Sequence, residues 1–107
     1  MYKTITVGGK EMAMKATAAT PFRYKTVFHR DLLQTIGNEE KAEKEGVEAV
    51  TQLAYIMSKQ AEGADMTKLN EEDFIQWLDG FGAMDFINAA EDVLNIYMDS
   101  TVGTATP

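Results

Sequence analysis

Residues 40–61, EKAEKEGVEAVTQLAYIMSKQA, decide how the rest of the chain must be arranged. Within them Val47, Val50, Leu53, Ala54, Met57 and Ala61 recur at three- and four-residue steps, which in an α-helix put side chains on one side. Glu43, Glu48, Gln52, Lys59 and Gln60 take the opposite side, so the spacing predicts an amphipathic helix with one buried stripe and one wet face. Gly63 stands where a left-handed residue would end that helix. The flanking segments must then supply apolar surface to cover the stripe.

Upstream, Thr20-Pro21 opens a helix: Thr is a good N-cap, and Pro at the first helical position forfeits no hydrogen bond. Tyr24, Val27, Phe28, Leu32 and Ile36 form its apolar stripe, and Gly37 offers a stop. Before it, Thr4-Ile5-Thr6-Val7, Gly8-Gly9 and the run from Lys10 to Lys15 predict a β-hairpin, because two glycines supply the positive φ angles of a tight turn. Counting outward from the turn pairs Val7 with Lys10, Ile5 with Met12 and Lys3 with Met14, which gathers Ile5, Val7, Met12 and Met14 on one face. A lone hairpin is marginal in water, so this face must lie on helices or have its edges extended by another chain.

Downstream, Asn70 caps a helix that begins with Glu71-Glu72-Asp73, acids suited to the positive helix end, and Leu69 can clasp Phe74 across the cap. Phe74, Trp77, Leu78 and Phe81 give it an aromatic face before Gly80 and Gly82 break it. Asp85 caps a last helix whose stripe is Phe86 or Ile87, then Ala90, Val93, Leu94 and Tyr97. From Asp99 on, Ser, Thr, Gly, Ala and Pro replace the periodic residues, as in a loose tail. The expected architecture is α+β and mainly α: one domain over 1–107, with a hairpin at about 2–16, helices at about 21–36, 40–62, 71–80 and 85–98, and a tail over 99–107.

Composition narrows the function. The 107 residues are 45% hydrophobic and 25% charged, ordinary for a folded protein. A net charge of -7 argues against a general grip on nucleic-acid phosphates or anionic lipid, both of which need surplus Lys and Arg. Without Cys there is no disulfide framework, thiolate nucleophile or cysteine zinc site. The first ten residues are alternating and polar, unlike a signal peptide, and no stretch approaches the ~20 apolar residues that span a bilayer, so a cytoplasmic protein is expected. Seven Met residues fit irregular core gaps first and adaptable binding surfaces second.

The tests for chemistry come out negative. His29 stands alone, a surface or boundary histidine rather than a metal ligand. If Asp73 closed an EF-hand loop, Glu62 would open it and Thr67 would replace the obligatory Gly, so calcium is rejected. Neither Gly8-Gly9 nor Gly80-Phe81-Gly82 has the length or setting of a phosphate loop. Ser58, His29 and Asp31 lie in no hydrolase motif. Catalytic, cofactor-binding and metal-binding residues are therefore all expected to be none.

Taken in order, Met14-Lys15-Ala16-Thr17, Thr20-Pro21-Phe22-Arg23-Tyr24-Lys25, Asp31-Leu32-Leu33, Leu53-Ala54-Tyr55-Ile56-Met57, Trp77-Leu78 and Met84-Asp85-Phe86-Ile87-Asn88-Ala89-Ala90 resemble the tail assembly chaperones of long-tailed phages and prophages of Gram-positive bacteria. The likeness covers about residues 2 to 98 and rests on order and spacing. It implies a non-enzymatic factor, active in the cytoplasm of the infected host and absent from the finished virion. Such a factor coats the tape measure protein, keeps it soluble and helps tail tube subunits polymerise around it. Many members of the family also occur in a longer, frameshifted form, for which the tail would be a suitable junction. A homo-oligomer is compatible with this role; nucleic acid and membrane are not its partners. Apolar residues left over from the core, Phe22, Tyr55, Trp77, Phe81 and Met84, are the expected partner-binding set, with aromatics and Met serving as helix-in-groove contacts. The competing class is a phage-encoded regulatory interaction module, an inhibitor or adaptor of a host protein.

Overall fold

The protein is described from a computed structural model covering residues 2–102. Strands β1 (Tyr2–Val7) and β2 (Lys10–Lys15) are followed by helices α1 (Thr20–Phe28), α2 (Leu32–Gly37), α3 (Glu39–Glu62), α4 (Glu71–Leu78) and α5 (Asp85–Val102), with a 3-10 turn at Met66–Lys68. The expected hairpin and mainly helical α+β architecture are present.

Gly8 and Gly9 have φ of 58° and 79°, the paired positive angles of a type I′ turn. They set the expected register, Val7 opposite Lys10, Ile5 opposite Met12 and Lys3 opposite Met14. Val7 and Met14 are fully buried, and Ile5 and Met12 pack at the margin of the same core. The hairpin therefore lies on helices, β2 against α3 and β1 against α5.

The single helix expected over 21–36 is two. His29 takes a left-handed conformation, φ 56°, and its N–H donates to the Lys25 carbonyl, which ends α1. Asp31 then caps α2, its carboxylate accepting from the Gln34 N–H at 3.1 Å. The break turns Arg30 toward Glu48 and Glu45 of α3, at 3.4 and 3.9 Å. Thr20 also departs from its expected capping role. Its hydroxyl accepts from the Thr17 N–H and donates to Gln60 Oε1, tying the end of the hairpin to the end of α3.

Asn38 caps α3 through the Lys41 N–H, and Gly63 ends it at φ 72°, as its position suggested. The expected single stripe is too narrow for this helix. Every residue from Ala49 to Ser58 is buried except Thr51, which is partly covered. Gln52, assigned to the wet face, is buried because Tyr24 packs over it and donates to its Oε1 at 2.6 Å. Val47, assigned to the stripe, is 49% exposed, because it stands two residues before the buried run that begins at Ala49.

Asn70 caps α4 as expected, accepting from the Asp73 N–H at 2.8 Å, and the helix stops two residues early, at Leu78. Asp85 is the first residue of α5 rather than its cap, and its carboxylate reaches back to the Gly82 N–H at 2.7 Å. Phe86 faces the core and Ile87 does not. The helix continues through residues 99–102, where a tail was expected, since nothing before Gly103 breaks it and Ser100 Oγ donates to the Tyr97 carbonyl. Residues 103–107 of the expected tail lie outside the described residues. Among the described residues no helix is long and apolar enough to cross a membrane.

The hairpin turn and the start of α5 meet at one point, where a Cβ on Gly8 would lie 2.1 Å from Asp85 Oδ2. Moving that carboxylate aside would cost its bond to Gly82. Gly8→Ala is therefore expected to lose about 2 kcal/mol or more in urea unfolding, backbone strain plus displacement of Asp85. Gly9→Ala, with nothing within 4 Å, should lose only about 1 kcal/mol; equal losses would show that the Asp85 contact contributes nothing.

Candidate functional site

Three of the five expected partner-binding residues belong to an aromatic seam that joins α4 and the start of α5 to the body. Tyr55 of α3 is fully buried and meets Phe28, Phe74 and Trp77 at centroid distances of 6.1, 5.4 and 5.4 Å. Trp77 in turn contacts Phe81 and Phe86 at 5.1 and 5.2 Å, mostly in tilted or edge geometries that suit the ring quadrupoles. Trp77 and Phe81 are each partly covered, and Lys10 Nζ sits 4.9 Å over the Phe81 ring.

Tyr55 is not left over from the core, because its hydroxyl donates to Asp73 Oδ2 and thereby pins α4 onto α3. Phe22 and Met84 do remain outside, 72% and 56% exposed. They do not share a surface. Phe22 is near the open end of the hairpin, where Thr20 bonds Gln60, whereas Met84 precedes Asp85 at the turn end. Six extended residues separate those ends, roughly 20 Å. The five residues thus divide into a buried tyrosine, two seam aromatics and two distant surface side chains.

A surface concavity with an apolar floor lies beside the seam. A cleft of about 480 Å³ runs between α3 and α4, floored by Phe28, Phe74 and Leu78, with Thr51 and Ile75 on its sides. A second hollow, of about 210 Å³, continues from it toward α5 and is bordered by Val47, Phe81 and Ile87. Thr51 and Leu78 line both, so the two form one groove. Val47, Ile75 and Ile87, the groove's rim, are 49%, 51% and 44% exposed. Single exposed apolar residues need no explanation, whereas three bordering one concave surface mark it as the candidate site.

Ile75 carried a signal in the sequence: it falls off the face defined by Phe74, Trp77, Leu78 and Phe81. Ile87 was one of two alternatives for the α5 stripe, and its exposure follows from Phe86 taking the core position. Val47 carried none, since its spacing matches the stripe; only the packing of neighbouring elements leaves it uncovered.

The polar end of the groove is a network built on Arg30. Its Nη2 donates to Glu48 Oε1, which also accepts from Gln52 Nε2 at 3.4 Å, and Gln52 accepts from the Tyr24 hydroxyl. Burial pushes the Tyr24 pKa up to about 12 against the pull of Arg30, and burial with the Asp73 carboxylate raises that of Tyr55 as well. Both phenols therefore stay neutral hydrogen-bond donors at physiological pH. Among the described residues no group of three or more His, Cys, Asp or Glu is placed to hold a metal ion. What this arrangement offers is apolar contact area bounded by carboxylates.

Comparison with known proteins gives no match: no family model, no curated protein and no solved structure corresponds to this chain.

Because both phenols hold their protons more tightly folded than unfolded, their contribution is complete below pH 10 and is lost as pH rises toward 12. Urea midpoints of the wild type are expected to stay level up to about pH 10 as far as these groups are concerned, then fall. The Tyr24→Phe/Tyr55→Phe variant should start lower, each lost hydrogen bond costing about 1 kcal/mol, and fall less steeply. An unchanged slope in the variant would mean that other groups govern the alkaline transition.

Proposed function

We propose that this protein is a non-enzymatic tail assembly chaperone that binds the tape measure protein of a long-tailed phage, keeps it soluble and helps recruit tail tube subunits. The reading rests on the ordered motifs from Met14 to Ala90, and one structural observation supports it above the others. A small acidic body exposes eight large apolar side chains among its described residues, and three of them, Val47, Ile75 and Ile87, border one concave surface.

A long helical protein with apolar stripes precipitates when those stripes meet each other. An acidic protein that covers them lowers the exposed apolar area and gives the coated filament a charge of one sign, which keeps filaments apart. Catalysis is not part of this role, and no cofactor enters it. The site of action is the host cytoplasm, before the tail is complete.

Co-expression with the tape measure protein of the same phage genome tests the proposal. The soluble fraction of the tape measure protein is expected to rise several-fold with the chaperone present, and tape measure and tail tube proteins should co-purify with it. A tape measure protein equally insoluble with and without it would reject this function; capture of a host enzyme instead of tail proteins would favour the regulatory module.

A further inference from the structure

We infer that the groove between α3, α4 and the start of α5 takes one amphipathic α-helix whose apolar stripe is flanked by Lys or Arg. This deepens the chaperone reading and rests on it for the source of the helix, while the chemistry comes from the groove itself.

The shape favours a helix. The groove is bordered by helices and by the link before α5, and neither hairpin strand lines it. An extended peptide lying there would find no strand edge and would leave its backbone N–H and C=O groups without partners over apolar side chains. A helix satisfies its own backbone and needs only side-chain contacts. Leu78 and Phe81 form the floor for its anchors, Val47, Ile75 and Ile87 close over their sides, and Gly82 and Ala83 present little to obstruct the α5 end.

The charge selects the flanks. Glu48 and Glu71 line the groove, and among its described lining residues Arg30 is the one cation, already paired with Glu48 and Glu45. With Glu48 paired, Glu71 leaves surplus negative charge at the α3–α4 end of the groove, on a chain whose net charge is -7. A second copy of this chain would bring the same surplus against it, so like charges oppose that occupant. A stripe flanked by cations meets complementary charge at the Glu48 and Glu71 end and apolar surface beyond it.

The test uses the purified full-length chain and a fluorescent peptide of roughly five helical turns, with Leu at helical spacing, Lys on both flanks and Ala elsewhere. A second peptide carries Glu on its flanks, and a third has the first one's composition without the periodicity. Anisotropy is expected to show one Lys-flanked peptide per chain and markedly weaker binding of the other two. Val47→Glu and Ile75→Glu change exposed side chains and should fold normally by circular dichroism; each should weaken binding by about tenfold or more. Glu71→Lys should weaken the Lys-flanked peptide and strengthen the Glu-flanked one.

Binding unaffected by Val47→Glu and Ile75→Glu, or equal affinity for both flank charges, would overturn the inference. So would no binding at all. Tape measure solubility separates the two levels. If Ile75→Glu maintains that solubility as well as the wild type does, the groove is wrong and the chaperone reading stands. If the peptide occupies the groove while the tape measure protein stays insoluble, the chaperone reading is wrong and the groove stands.

Discussion

The enclosure of one half of α3 is the constraint on which the structure depends. Leu53, Ala54, Tyr55, Ile56 and Met57 are consecutive and all fully buried, so this stretch must be covered on every side. β2, α1, α2, α4 and α5 all lie against α3. Burying side chains of this size stabilises by about 1.5–3 kcal/mol each before entropy is counted, which gives these neighbours their reason to converge. They leave the first ten residues of this 24-residue helix exposed or only partly covered. Val47 and Thr51 are left on its open side, and the groove begins there.

Attachment of α4 follows from the same constraint. It is a short helix held by Phe74, which is buried, by Trp77 on Tyr55, and by the Tyr55 hydroxyl on Asp73. These contacts use one face, and Ile75 is consequently carried outward on the other. The aromatic residues that look like binding anchors thus hold the wall of the groove in place, while the exposed apolar side chains at the groove are the aliphatic ones beside them, Val47, Ile75 and Ile87. The proposed cationic, apolar-striped partner follows from the carboxylates Glu48 and Glu71 at one end of the groove and the apolar lining of the other.

Local signals in the sequence held at the hairpin turn, the start of α4 and the end of α3, but misplaced the caps at Thr20 and Asp85 by one residue. Gly8-Gly9 specified the hairpin register, Asn70 the start of α4 and Gly63 the end of α3, because φ preference and side-chain capping operate over three or four residues. Signals that depend on remote neighbours misled. Gln52 reads as a wet residue until Tyr24 covers it, and Tyr55 reads as a spare aromatic until Asp73 and Trp77 are placed beside it. The break at His29 had a partial signal in Asp31, a good N-cap inside an otherwise continuous stripe, but Leu32 and Ile36 keep helical spacing across it. Of the expected partner-binding residues, Phe22 and Met84 were legible as exposed, and the groove was not legible at all, since a concavity is made by three elements whose mutual placement no periodicity records.

The division of α3 into a buried half and an open wall is tested most directly by urea unfolding of Leu53→Ala beside Val47→Ala. Leu53 is completely enclosed and its truncation should cost about 3 kcal/mol. Val47→Ala should cost no more than about 0.5 kcal/mol. Comparable losses at the two positions would place Val47 inside the core, and the open groove would not exist.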